Sequence, residues 1–386
     1  MARTLDTLRV IDFTTTIAGP HCTRLLADLG AEVIKIETPA GDMMRTRPPQ
    51  RDGASAMFGQ LNAGKKSVVL DLKSSEIKTF LYKLVESADV VVENYRPGVT
   101  KRLGIDYETL RQQRDDLIYC SISGYGQTGP SSGLAAYAPV IHAASGYDVA
   151  HMSYQPDRQR PDYCGIYIAD VLAGTYAFGA INAALIQRQN TGAGQHIDVS
   201  MLEAMLSLTL LEMQEAQFEM PPRPGRPLFG PVETSDGYIN IAVASERTFD
   251  GLAKSANRLD WFEDPRFKNY PDRRANWGEL MDEFEAWSRT VTNAKCLAIL
   301  EANAVPAAAY RNVREAMADP QIAHRNALAT VQDTGGTFLA LNAPFRMSAT
   351  ATNTGSDVAS LGQHTEEVLL ELGLTVDAPP GQSRSK

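Results

Sequence analysis

The sequence predicts an α/β fold, and three observations predict it. Through Val199, short β-branched runs alternate with helical patterns, the spacing of βα units that build a mostly parallel sheet covered by helices on both faces. The dense run Pro221-Pro222-Arg223-Pro224-Gly225-Arg226-Pro227 then interrupts the alternation and reads as a boundary. Beyond it the pattern changes to a hairpin followed by charged helices, which predicts a smaller α+β lobe.

Taken in order, the first lobe opens with a strand over Leu8 to Phe13, a helix over Ala18 to Leu29 and a strand over Glu32 to Ile36. A strand over Ser67 to Leu72 leads into a helix over Ser74 to Ser87, and strands over Asp89 to Val92 and Leu117 to Ser123 follow. Helical patterns over Val171 to Gln189 and Leu202 to Glu219 flank a strand over His196 to Val199. In the second lobe, Val232 to Val243 reads as a hairpin turning at Asp236-Gly237, with a short strand near Pro306 to Tyr310. After Ala343-Pro344-Phe345, a stretch rich in Thr, Ser and Gly leads to a last helix, Thr365 to Leu372. The expected division is a large, doubly wound domain over 1–220, a small α+β domain over 221–325, a returning segment over 326–375 and a disordered tail over 376–386. No internal repeat is visible.

At 386 residues with 44% hydrophobic and 22% charged residues, the chain has an ordinary globular composition, long enough for a large core and a cleft. A net charge of −9 argues against a nucleic-acid surface, which needs a basic excess, but leaves room for a local basic pocket and a small anion. The N-terminus carries no apolar core of signal-peptide length, and no uninterrupted apolar run approaches about 18 residues, so no membrane partner and a cytoplasmic location are expected. The cysteines (Cys22, Cys120, Cys164, Cys296) and the six histidines are scattered, so no metal site and no disulfide framework is expected.

Gly124-Tyr125-Gly126-Gln127-Thr128-Gly129 matches the dinucleotide fingerprint formally. Pro130-Ser131-Ser132-Gly133 interrupts the helix that the fingerprint must open, so a nicotinamide site is disfavoured and the segment reads as a loop of close backbone approach. Basic residues cluster on the loops of the first lobe: Arg45, Arg47 and Arg51; Lys65 and Lys66; Arg96, Lys101 and Arg102. One such cluster is ordinarily a solvated surface. Three on the loops of one α/β lobe suit a polyanion at the carboxyl ends of the strands. No G-x-S-x-G elbow, H-E-x-x-H helix or Walker lysine loop is present, which disfavours the usual hydrolase, metalloprotease and kinase readings.

Asp170 is a lone carboxylate in the apolar stretch Gly165-Ile166-Tyr167-Ile168-Ala169-Asp170-Val171-Leu172-Ala173-Gly174. Its local reading is a cap for a helix starting at Val171, with the carboxylate accepting from the amide of Leu172 or Ala173. A charge in such surroundings needs a partner or a use.

A family resemblance supplies the use. Leu8 to Phe13, Ala18-Gly19-Pro20 and Leu25 to Glu37 resemble the opening of the class III CoA-transferases, a family that includes formyl-CoA and carnitine CoA-transferases and the related alpha-methylacyl-CoA racemases. The match continues through Asn62 to Lys73, Glu93 to Gly104, Ser121 to Pro130, Asp170 with its helix, Gln195 to Met201, Asp236 to Ile239 and Leu361 to Thr365. The resemblance implies a Rossmann-like large domain joined to a smaller one, and two chains interlocked as a homodimer. It implies coenzyme A and acyl-CoA as substrates, with no permanently bound cofactor. Asp170 matches the family's nucleophile. Arg45, Arg96, Lys101 and Arg102 match positions beside the CoA nucleotide; Thr16, Ala18 and Asn94 fall in segments lining the CoA pocket, and Tyr125 and Gly126 in a loop facing the active site.

In the chemistry so implied, Asp170 attacks the thioester to give a mixed anhydride and CoA thiolate, and the thiolate then converts the aspartyl group to an aspartyl-CoA thioester. An acceptor carboxylate repeats the sequence in reverse. A carboxylate suits the task because an anhydride keeps the acyl group activated, whereas a serine ester would be too low in energy to regenerate a thioester. Such intermediates hydrolyse, so the site must exclude water.

Four further expectations accompany the resemblance. The glycine run that shields the intermediate in formyl-CoA transferases is missing from Arg226-Pro227-Leu228-Phe229-Gly230-Pro231, which disfavours oxalate or formate as the acid. Arg158 and Arg160 precede the nucleophile and would suit a second carboxylate on a dicarboxylic acceptor, against the plainer reading of a solvated loop. A racemase is the alternative activity, but it needs two bases and this chain has Tyr137 where family racemases carry a histidine, with His142 five residues further on. A non-catalytic acyl-CoA binder is the third reading, and retention of Asp170 argues against it.

Overall fold

A computed structural model describes residues 3–374 apart from 75, 76, 156, 157, 162, 220–225 and 227. Most of the expected boundary run at 221–227 and the expected tail at 376–386 therefore lie outside the described residues. The chain divides into two compact units, one of Met1–Asp148, Tyr163–Leu210 and Pro320–Lys386, the other of Val149–Asp162 and Leu211–Asp319.

The first unit is built on a six-stranded sheet: β1 (Arg9–Asp12), β2 (Glu32–Glu37), β3 (Lys66–Val69), β4 (Val90–Glu93), β5 (Ile118–Ser123) and β6 (Gln195–Ser200). Every pairing in it is parallel and the spatial order is 3-2-1-4-5-6. Both faces of the sheet are covered, as is usual for all-parallel sheets. One face packs on α1 (Ala18–Asp28), the helix Ala138–Ala144 and the long helix Ile168–Thr191, through Val10, Val33, Val90, Val92, Cys120 and Ile122. The other face packs on the helices Ile77–Glu86 and Thr365–Glu371 through Ile11, Ile34, Val68, Val91 and Tyr119. Successive strand residues point to opposite faces, which is why alternate members of one run divide between the two cores.

Two sequence expectations need correcting here. The helix expected over Leu202 to Glu219 is broken into Met201–Leu206 and Leu210–Glu215. The hydroxyls of Ser207 and Thr209 donate to the carbonyls of Ala204 and Leu206, an alternative to helical continuation that Ser and Thr offer locally. The helix expected from Val171 begins at Ile168, and its 24 residues are long and apolar enough to span a membrane by length and composition. Its buried residues (Ala169, Ala173, Gly174, Ala177, Ile181, Ala184, Leu185) form one stripe of mostly small side chains, the pattern of a core helix packed closely on a neighbour.

An antiparallel hairpin, Leu328–Asp333 with Gly336–Leu341, belongs to the same unit and was not anticipated, although Asp333-Thr334-Gly335-Gly336 carries the turn signal. In the second unit the strand Tyr238–Ile241 lies between Pro231–Glu233 and Ala307–Ala309, antiparallel to both, as the Asp236-Gly237 turn and the strand near Pro306 led one to expect. Its core gathers Phe249, Trp261, Phe267, Trp277 and Phe284.

Candidate active site

The strand order reverses between β1 and β4, and in open α/β sheets a crevice forms outside the carboxyl ends of the strands at such a point. A pocket of about 300 Å³ opens there, lined by Thr15 to Ala18 after β1, by Asn94 to Pro97 after β4 and by Ile122 to Gly124 at the end of β5. Asp170, Tyr137, Tyr167 and Ser132 complete much of the wall. Every lining residue belongs to the first unit.

The loop after β1 is held by charges buried beneath it. Asp12 is fully buried; its carboxylate accepts from the amide and hydroxyl of Thr14, from the hydroxyl of Thr23 (2.7 Å) and from Lys65 Nζ (3.0 Å). Lys65 also donates to the Pro20 carbonyl, Thr23 and Asn62, while burial pulls its pKa down to about 8. Lys35 donates to the Thr14 carbonyl at 2.7 Å and pairs with Asp42. Asn94 clamps the next residue from both sides, accepting from the Thr15 amide (2.9 Å) and donating to its carbonyl (2.8 Å). Glu93 accepts from the Tyr95 amide, and burial raises its pKa to about 7.

Held this way, Thr16 adopts φ +70°, a strained conformation for a β-branched residue. The chain turns there into α1, whose N-cap Ile17 offers no side-chain acceptor, so the first amides of that helix need partners from elsewhere. The Ala18 amide finds one in Asp170.

Asp170 is the third residue of its own helix, not the residue before it, so the local capping expectation is corrected. The carboxylate caps a helix end, but that of α1. Burial pushes its pKa up to about 6, and the Ala18 hydrogen bond opposes the shift. Two helix N-termini meet at this carboxylate, and their partial positive charge favours its ionised form. The next amide back, Ala169 N–H, donates to His142 Nε2 at 3.2 Å. His142 is buried and disfavoured as a cation by that burial, so it serves as a neutral acceptor at the helix start and does not line the pocket.

The close approach of the two helices depends on Gly174, one turn beyond Asp170. A Cβ there would lie 2.4 Å from the Ala18 carbonyl oxygen and 3.1 Å from the His21 ring. Gly174→Ala is therefore expected to push α1 away, removing the Ala18 amide from Asp170, and to lower turnover about tenfold or more with a stability loss of roughly 1–3 kcal/mol. Steady-state kinetics and thermal melting check both. Wild-type turnover in the variant would show that the Ala18 contact is dispensable.

The residues expected at the site fall into four groups. Thr16, Ala18, Asn94, Arg96 and Asp170 line one pocket, although the Asn94 side chain is occupied by Thr15. Lys101 and Arg102 are exposed on the short helix Val99–Leu103 just beyond and make no ion pair among the described residues. Arg45 stands apart: it grips Glu37 with two nitrogens at 2.7 and 2.6 Å, lies over the Phe58 ring and lines a different pocket with Ser55, Phe58 and Asp333. Tyr125 packs on the core, and Gly126, buried at φ +85°, sits in a loop pinned by the Gln127 amide to Asp198. No helix opens at Gly129, so the dinucleotide geometry is not formed.

Most of the remaining basic residues do not stay free for a polyanion, although Arg47 is exposed and makes no ion pair among the described residues. Lys65 is consumed by Asp12, Lys66 by Glu32 and Glu367, and Arg51 by Asp333. Sequence showed the cations but not the carboxylates that fold against them. Arg158 and Arg160 are exposed in the segment Val149–Asp162 of the second unit. Ser123, Ser132, Tyr137 and Tyr167 are among the pocket residues to which sequence assigned no part in transfer. The only signal for Ser123 was its place at the carboxyl end of a strand.

Residues 5–365 match the family described as CoA-transferase family III, and the chain belongs to that family. It is a CoA-transferase by class, and it is similar along nearly its whole length to two named CoA-transferases. The succinate–glutarate CoA-transferase of Agrobacterium fabrum (strain C58 / ATCC 33970) is 34% identical, with 95% of each chain covered. The succinyl-CoA:mesaconate CoA-transferase of Haloarcula hispanica is 35% identical over 96% of each. Among solved structures, a CAIB/BAIF family protein from Brucella suis superposes with a TM-score of 0.84 at 33% identity, covering 96% of this chain and all of that one.

Proposed function

We propose that this enzyme moves CoA from an acyl-CoA thioester to a dicarboxylic acid, through anhydride and aspartyl-CoA intermediates on Asp170. The observation that carries the reading is that Asp170 is the sole carboxylate among the residues lining a pocket at the sheet's switch point, half-buried and held by a backbone amide. A carboxylate with few other hydrogen bonds keeps a free lone pair for attack, and its raised pKa makes it a better nucleophile than an ordinary surface aspartate while leaving it mostly ionised at pH 7. Coenzyme A is a substrate in this scheme, with no resident cofactor.

The dicarboxylate rests on the relatives, whose names join succinate with glutarate or mesaconate. Within the pocket Arg96 is the one lining cation, placed for either a CoA phosphate or a substrate carboxylate, with Lys101 and Arg102 next to it in the chain for the phosphates. Racemisation is the weaker reading. It needs a second base across the α-carbon, yet no histidine lines the pocket and the His142 lone pair is already bonded to Ala169.

A homodimer is part of the proposal. Ile166, Tyr176, Ile186 and Leu210 on and around the long helix remain exposed at 71, 48, 61 and 72%, an apolar face of the kind a second subunit covers. The four unpaired cysteines favour a reducing compartment such as the cytoplasm.

The test is a panel of acyl-CoA donors against succinate, glutarate, mesaconate, oxalate and monocarboxylates, with hydroxylamine or borohydride trapping of the enzyme during turnover. Modification should map to Asp170. Transfer without modification at that residue, or deuterium uptake at the α-carbon without transfer, would defeat the reading. The rate should also depend on pH in a defined direction. Because Asp170 must be ionised to attack, kcat/KM is expected to be level above about pH 6 and to fall about tenfold per unit below it.

A further inference from the structure

We propose that Ser123 is a catalytic hydroxyl of this site, donating a hydrogen bond to the acyl carbonyl oxygen as Asp170 adds to the thioester. The inference rests on Asp170 being the nucleophile. Ser123 closes β5, is 7% exposed and lines the pocket shared with Asp170. Its Oγ is buried and has no hydrogen-bond partner among the described residues. A buried hydroxyl left unpaired costs on the order of 1–3 kcal/mol, so native folds satisfy nearly all of them.

The neighbouring buried hydroxyls obey that rule. Thr14 and Thr23 donate to Asp12, Ser67 to Glu37, and Ser145 to the His142 carbonyl; Ser121 bonds to the His196 ring, and Ser200 accepts from the Glu203 amide. Ser123 alone of this set has no partner among the described residues, and it belongs to the pocket wall. Two other polar groups of the pocket wall are occupied: Asn94 is bound at both ends to Thr15, and the Ala18 amide is on the carboxylate itself.

The step balances. An Asp170 oxygen forms a bond to the thioester carbon, and the carbonyl π pair moves onto oxygen. Ser123 O–H stabilises that oxyanion without surrendering its proton. The pair then returns, the C–S bond breaks, and CoA leaves as the thiolate, giving the aspartyl anhydride. A donor placed where charge develops acts more strongly on the transition state than on the bound thioester, so its removal lowers kcat more than it raises KM.

Two variants test this, each compared with the wild type in kcat, KM, thermal melting and hydroxylamine trapping. Ser123→Ala is expected to lose about 10²- to 10³-fold in kcat, with KM within about threefold and Tm equal or higher because an orphan hydroxyl has gone. Ser123→Thr, which keeps the hydroxyl on a strand position that accepts β-branching, should recover most of the activity. A purely structural serine would instead move Tm and spare kcat. Wild-type kcat in Ser123→Ala, or a Ser123→Thr variant that folds yet is as slow as Ser123→Ala, overturns the proposal. The trapping arm reports on Asp170 alone. Failure to label it in the wild type sinks the nucleophile, whereas labelling with undiminished Ser123→Ala turnover sinks only the serine.

Discussion

Asp170→Asn is expected to lose at least about 10⁴-fold in turnover while making the protein more stable. The two effects have one cause. An amide cannot form an anhydride, so the covalent route closes. Folding, however, currently places a carboxylate where burial raises its pKa from 3.8 to about 6. A carboxyl group with a raised folded pKa weakens the fold as it ionises, so stability is lost as pH rises from the unfolded value through about 6 and stays lower at pH 7. Removing the charge returns on the order of 1–3 kcal/mol, seen as a higher Tm at pH 7 and little difference near pH 4. The asparagine oxygen still accepts from Ala18, so the α1 contact survives. Equal or lower stability of the variant at pH 7 would mean that the helix N-termini already compensate the carboxylate fully.

Lys65→Met is expected to be the most damaging change to the fold, costing about 3–5 kcal/mol. It leaves the Asp12 carboxylate, fully buried and held well below the usual range chiefly by Lys65 and Lys35 against the burial that opposes them, without its nearest cation. It also strips donors from Asn62 and the Pro20 carbonyl. Because Asp12 fixes Thr14 and Thr23, the β1–α1 turn should loosen, and the Ala18 amide with it. Chemical denaturation measures the first effect, and kcat in the folded fraction the second. Pairing Lys65→Met with Asp12→Leu should restore part of the loss, since an unpaired buried charge costs more than an absent pair. A double variant no more stable than Lys65→Met would place the cost in packing instead.

The strands of the first unit were readable because each is short, β-branched and bounded by turn residues, and the alternation with helices leaves little choice but a parallel sheet. The broken helix after Met201 was not, because Ser207 and Thr209 break it only by where their hydroxyls turn. The 328–341 hairpin hid in a segment whose strand faces are partly exposed and weakly patterned. At the site, Asp170 was identifiable as a charge out of place, and Thr16, Ala18, Asn94 and Arg96 as members of motif segments. Lys65, Lys66, Arg45 and Arg51 looked alike in sequence as loop cations. Which of them remain available depends on carboxylates up to roughly three hundred positions away, as Glu367 is from Lys66.

The sequence by itself determined the α/β class, the strand and helix periods, the family and the one carboxylate worth singling out, because these follow from local pattern and motif order. Tertiary structure alone decided what that carboxylate is: not the cap of its own helix but a partner to the first amide of α1, brought there by a glycine that lets two helix backbones touch. It likewise decided that Ser123, in the wall of the same pocket, keeps a hydroxyl with no partner among the described residues, while neighbouring buried hydroxyls are bonded. Hydrogen-bond partners and desolvation are properties of how distant segments meet, and no local spacing encodes them.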